Sequence, residues 1–108
     1  MAERIKVIIK RPDEKLGHVA HISNTLESLQ NHVKGHIEAI PLSSDTVMIC
    51  NEEGKIRNLS KNFLFGNPPI DVIYGPVIVC GVNGDEFSDI TFSIQTWKSL
   101  LQAWKNDI

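Results

Sequence analysis

Cys50, Asn51, Glu52 and Glu53 put a thiol, an amide and two carboxylates in four consecutive residues, within the stretch MICNEEGKIRNL from Met48 to Leu59. Such a set could serve nucleophilic attack, which needs a thiol with a depressed pKa at a helix N-terminus or beside cations. It could also serve acid and base catalysis, which needs one carboxylate pushed into an apolar pocket. Neither condition is met by the flanking residues. Cys50 and Cys80 each sit in an apolar, strand-like run, where a thiol is a small buried hydrophobe, so reduced core cysteines are expected. Adjacent acids on a polar turn are solvated, and the same reading covers Asp85 and Glu86. Imidazole is the commonest metal ligand, and the chain has His18, His21, His32 and His36. His32 and His36 have helical spacing, but Gly35 between them is expected to end the helix, and neither a zinc-finger nor a metalloprotease spacing is completed. No metal and no cofactor are expected. Gly81-Val82-Asn83-Gly84 reads as a hairpin turn, since no glycine-rich loop runs on into a helix with a following lysine.

The chain that must position these groups has 108 residues, 42% hydrophobic and 22% charged, which suits one domain over 1–108 with a single core. A formal charge of −2 gives no global attraction to nucleic acid or acidic membranes. Lys6, Lys10 and Arg11 could line one sheet face, with Lys55, Arg57 and Lys61 elsewhere, but aromatics do not interleave them, so direct nucleic-acid binding is not expected. The longest apolar run, Pro76 to Val82, is far too short for a membrane span and fits a strand. Charges flank the short apolar core of MAERIKVIIKRPDEK without a small-residue cleavage site, so no signal peptide and a cytosolic address are expected.

Ile5, Val7 and Ile9 alternate with Lys6 and Lys10, which predicts a half-buried strand with a cationic outer face, and His18 to Ile22 returns as its hairpin partner. Asn24 and Glu27 predict a helix cap, Leu26, Leu29 and Val33 its apolar face, and Gly35 its left-handed exit. HIEAIPL and TVMICN read as strands around the turn Ser43-Ser44-Asp45. Thr46–Cys50 and Lys55–Asn58 read as the arms of a hairpin whose tip is Asn51–Gly54, with Gly54 at positive φ. Asn58 to Phe65 suggests a short helical turn, ended by Gly66-Asn67-Pro68-Pro69, and Asp71 to Gly75 is ambiguous. Val77 to Val82 lacks polar alternation and predicts a central strand covered on both faces. Ile94, Trp97, Leu100, Leu101, Trp104 and Ile108 then recur at helical spacing. The expected fold class is α+β: a small, mostly antiparallel sheet with two helices, the C-terminal one amphipathic. A small sheet has limited area to cover that last stripe, so a homo-oligomer, most simply a dimer, is expected through Trp97, Leu101 and Trp104. The competing reading places both tryptophans in the core.

Three segments, NTLESLQNHVKGHIEAIPL, VMICNEEGKIRNLSKN and DVIYGPVIVCG with the following GDEF, resemble the domain-of-unknown-function 3846 family over about Ile5 to Phe87. These are short proteins commonly encoded by phages, prophages and plasmids. Among the residues matching the pattern are Asn51, Glu52, Lys55, Asn62, Asp71 and Tyr74, and with Glu53 these form the expected binding set. The Gly66–Pro69 loop and the tryptophan-bearing final helix depart from the pattern. No activity carries over with the resemblance. It implies a mobile-element accessory protein in a bacterial cytoplasm, expected to bind without catalysis and to counter a host defence system. Its partner would be a defence protein, such as an RNA-guided nuclease, or that system's nucleotide signal. The alternative is a small enzyme acting on a nucleotide or peptide through Glu52, Glu53 or a histidine.

Overall fold

The computed structural model describes residues 3–108; Met1 and Ala2, which open both the expected domain and the stretch read for a signal peptide, lie outside the described residues. The elements are β1 (Arg4–Lys10), β2 (His18–Ser23), α1 (Leu26–Val33), β3 (Ile37–Pro41), β4 (Thr46–Asn51), β5 (Lys61–Phe65), β6 (Asp71–Tyr74), β7 (Val77–Asn83), β8 (Glu86–Ser88) and α2 (Ile94–Ala103). The main sheet has the order β2-β1-β7-β4-β3, with β8 also pairing β7, and β5-β6 form a separate hairpin. Every pairing is antiparallel. The fold is thus the expected α+β class, and none of the described helices is long and apolar enough to cross a membrane.

Two apolar layers flank the sheet because its strands alternate. Ile5, Val7, Ile9, Ile49, Ile78 and Cys80 face α1 through Leu29 and Val33. Ile8, Met48, Cys50, Val77 and Val79 face α2 and the β5-β6 hairpin through Trp97, Leu101, Trp104, Phe63 and Ile73. As expected, β7 is central, and its apolar run serves both layers. β1 departs from the half-buried reading: Ile8 and Lys10 lie on its cationic side and are buried, because α2 and the hairpin cover that face as well.

The terminal helix is corrected in the same way. Trp97 and Leu101 are fully buried and Trp104 is 7% exposed. Trp97 donates its indole N–H to the Leu16 carbonyl at 2.9 Å, and Trp104 stacks on Phe63 with ring centroids 6.0 Å apart. These three residues are core and do not form an interface, so the argument for a dimer through them lapses. The element that covers them is β5, which forms where a helical turn was expected over Asn58–Phe65. Asn106 holds it by accepting from the Leu64 amide at 2.8 Å and donating to the Leu64 carbonyl at 2.9 Å, as a neighbouring strand would. The ambiguous Asp71–Tyr74 stretch is its partner β6.

Three local expectations also change around α1. Thr25 is the N-cap, its hydroxyl accepting from the Ser28 amide at 3.1 Å, while Asn24 donates to the Phe87 carbonyl instead. The left-handed exit belongs to Lys34, with φ 68°, and the expected apolar Leu26 is 59% exposed.

Candidate functional site

The expected hairpin over Thr46–Asn58 does not form. β4 is already paired on both edges, to β3 and β7, so Lys55–Asn58 has no strand to join and residues 52–58 fold as turns. Asn51 is buried and structural: its amide donates to the Val33 carbonyl at the end of α1, and its side-chain oxygen accepts from the Glu53 amide at 2.7 Å. Gly54 has no positive φ. It is needed for a close approach, since a Cβ there would lie 2.8 Å from the Tyr74 carbonyl oxygen.

The turns bring five of the seven expected binding residues together. Asn51, Glu52, Lys55, Asp71 and Tyr74 line one hollow, which holds only about 110 Å³. Lys55 bridges to Asp71 at 2.9 Å and lies over the Tyr74 ring. The hydrogen bond from Lys55 holds the Asp71 carboxyl below its usual range and, reciprocally, raises the lysine. This is a clasp between the turns and β6, and its hollow is well below the roughly 300 Å³ at which small-molecule pockets begin. Glu53 lies outside it, paired with Arg57 at 3.4 Å. Asn62 lies outside it too, accepting from the buried Lys10 ammonium at 2.6 Å and donating to the Lys10 and Gly75 carbonyls.

The cavity of ligand size lies next door. A solvent-open hollow of about 570 Å³ lies between the β1-β2 turn, the end of α1, the turn before β5 and the β6-β7 corner. Arg11, His32 and Lys34 line it with Asp13, the polar side chains Asn31, Asn58 and Ser60, and an apolar wall of Pro12, Leu59 and Pro76. Glu14 anchors the first turn by accepting from the Arg11 amide at 2.9 Å and pairing with His18 at 2.7 Å. Partial burial pushes the Glu14 carboxyl up, but these partners together hold it below its ordinary value. Burial, with the Arg11 charge second, pushes His32 down, so its imidazole is neutral at pH 7.

Three residues around this cavity have left-handed backbone: Lys34 at φ 68°, Asn58 at φ 58° and Gly75 at φ 82°. Glycine accepts that conformation and asparagine tolerates it, whereas for lysine it costs on the order of 1 kcal/mol. Lys34 ends α1, with the amides of Lys34 and Gly35 both donating to the Gln30 carbonyl, a role glycine usually fills. A cation is therefore held at the cavity edge against its own backbone preference. Lys105, at φ 71° just after α2, shows the same conformation, so it marks a helix ending; what distinguishes Lys34 is its place on the cavity.

The model of a family described as domain of unknown function (DUF3846) matches residues 5–102. The chain belongs to this family. No curated protein and no solved structure matches it. The matched span of this DUF3846 chain includes every segment that lines the larger cavity.

Both thiols of this DUF3846 protein are free, buried and pushed up to about 12 by burial, with Glu38 adding to the effect at Cys50. They sit in the two opposite core layers with the sheet between them. Of the cavity residues, His32 was weighed from the sequence as a metal ligand, with His36, and Arg11, Lys34, Asn58 and Ser60 were not in the expected binding set. Arg11 was weighed with Lys6 and Lys10 as a basic sheet face, and Asn58 as the end of an extended arm and the start of a helical turn. The one local signal was a lysine directly before the glycine that was expected to end α1.

Proposed function

We propose that this DUF3846 protein is a non-catalytic binding protein whose larger cavity captures a nucleotide. A nucleotide presents a dianionic phosphate, a ribose diol and a flat, largely apolar base, and the cavity carries a counterpart for each. Arg11 and Lys34 supply cations for the phosphate. Asp13 supplies a carboxylate of the kind that accepts from ribose hydroxyls. Pro12, Leu59 and Pro76 supply the apolar wall, with the Asn31 and Asn58 amides available to base edges. The observation that carries the reading is the convergence of Arg11 and Lys34, from two separate segments, on one hollow of about 570 Å³ with an apolar wall. In the mobile-element setting that family resemblance implies, such a protein would keep a host defence system's nucleotide signal from its receptor. The buried thiols support binding without nucleophilic chemistry.

Lys34→Gly separates this role from a structural one. Relief of the left-handed strain is expected to stabilise the fold by about 1 kcal/mol, while loss of the cation weakens nucleotide binding roughly tenfold. Thermal unfolding and titration calorimetry with AMP, GMP and their 3′,5′-cyclic forms read the two effects. Absence of binding by the unsubstituted protein at millimolar nucleotide, or unchanged affinity in Lys34→Gly, would overturn the proposal.

A further inference from the structure

A second, shallower hollow adjoins the first at Asn31 and Lys34. This second lobe holds about 350 Å³ and is lined by Gln30, Asn31, Lys34, Gly35, His36 and Arg57. Asn31 and Lys34 line both lobes and so form the waist between them. Both lobes mix polar and apolar surface, but the first draws its apolar part from Pro12, Leu59 and Pro76, while the second presents the Gln30 and Asn31 amides, the exposed His36 imidazole and the Arg57 guanidinium among side-chain methylenes. Arg57 is only loosely engaged, by Glu53 at 3.4 Å, and is 55% exposed.

From this arrangement we infer that the ligand is a dinucleotide, with one nucleoside in each lobe and the linking phosphate at the waist beside Lys34. The inference rests on the nucleotide reading of the first lobe and specifies its ligand. A single nucleotide accounts for one lobe and leaves the second unused. A lone second phosphate does not need the Gln30 carboxamide, which matches the donor and acceptor edges of a base, whereas Asn31 at the waist already serves the first lobe. Arg57 can lay its planar guanidinium against that base or pair with a terminal phosphate, both of which arginine does better than lysine. Lys34 accounts for the waist, because a point charge serves a phosphodiester that has no fixed bidentate edge to offer. Among the described residues no acid lines the second lobe; Glu53 is paired with its Arg57, and the Glu52 amide donates to the His36 carbonyl at 2.8 Å.

The test is titration calorimetry on the full chain with the linear dinucleotides pApA and pGpG against AMP and GMP. At least one dinucleotide is expected to bind roughly tenfold or more tightly than its mononucleotide. Arg57→Gln and His36→Ala, both at exposed positions, are expected to narrow that ratio toward one while the melting temperature stays put. Equal affinity for dinucleotide and mononucleotide would overturn the two-lobe inference and leave the first-lobe reading standing. So would a ratio unmoved by both substitutions. Failure of all four ligands to bind the unsubstituted protein would overturn both readings.

Discussion

Asn62 was expected to contact a ligand, and its surroundings instead make it a support whose removal should be costly. Its side-chain oxygen accepts from the Lys10 ammonium at 2.6 Å, and its amide donates to the Lys10 carbonyl at 2.9 Å and the Gly75 carbonyl at 2.8 Å. Lys10 is 3% exposed, and without Asn62 its ammonium keeps the Glu14 carbonyl at 2.7 Å and the Phe63 ring at 5.5 Å. Asn62→Ala thus removes one charge-assisted bond worth about 1.5 to 3 kcal/mol and two neutral ones worth about 1 kcal/mol each. Water entering beside Lys10 recovers part of this, so the expected loss is about 3 kcal/mol, a large fraction of a small domain's stability. At about 4 °C per kcal/mol for a domain of this size, the melting temperature should fall by roughly 12 °C. Urea unfolding followed by the fluorescence of the buried Trp97 and Trp104 measures the loss directly. A double-mutant cycle with Lys10→Met isolates the contact with the ammonium, where a coupling of about 1 kcal/mol or more is expected. A loss under about 0.5 kcal/mol, or no coupling to Lys10, would refute the network account.

Gly54→Val should destabilise by about 2 kcal/mol even though Gly54 has ordinary φ, because its Cβ would press on the Tyr74 carbonyl oxygen at 2.8 Å; an unchanged melting temperature would show that β6 yields freely. Cys50 and Cys80, both buried with pKa values pushed up to about 12, should resist a disulfide reagent at pH 8 in the native protein and react fully in denaturant. Rapid native labelling at either position would contradict their burial. Burial holds the Lys10 ammonium below its ordinary 10.5 against the opposing pull of Glu14 and Asp13. The unfolded chain then binds this proton more tightly, so stability rises with pH between the lowered folded pKa and 10.5. The stability of the unsubstituted protein relative to Lys10→Met should therefore improve as pH climbs through the alkaline range, and a flat or falling difference by urea titration rejects the sign.

What the sequence determined by itself is what depends on near neighbours. Period-two alternation and Pro12 defined β1 and its return to β2, and an apolar run without alternation identified β7 as central. Helical spacing from Ile94 to Trp104 defined α2, and Ser43-Ser44-Asp45 its own turn, with the Ser43 hydroxyl donating to the Asp45 carboxylate at 2.8 Å. The family pattern likewise lies along the chain, and residues 5–102 carry it. Tertiary structure decided which of these faces would be covered. Whether Trp97 and Trp104 met a partner or their own domain depended on β5 and β6, whose pairing is held from outside by Asn106 and cannot be read from local propensity. Lys55–Asn58 was denied a strand because β4 had spent both edges on β3 and β7, a fact about sheet order. The larger cavity is the furthest from the sequence of all. It needs four separated segments to converge, and only their packing brings Lys34, at the end of α1, onto the same hollow as Arg11.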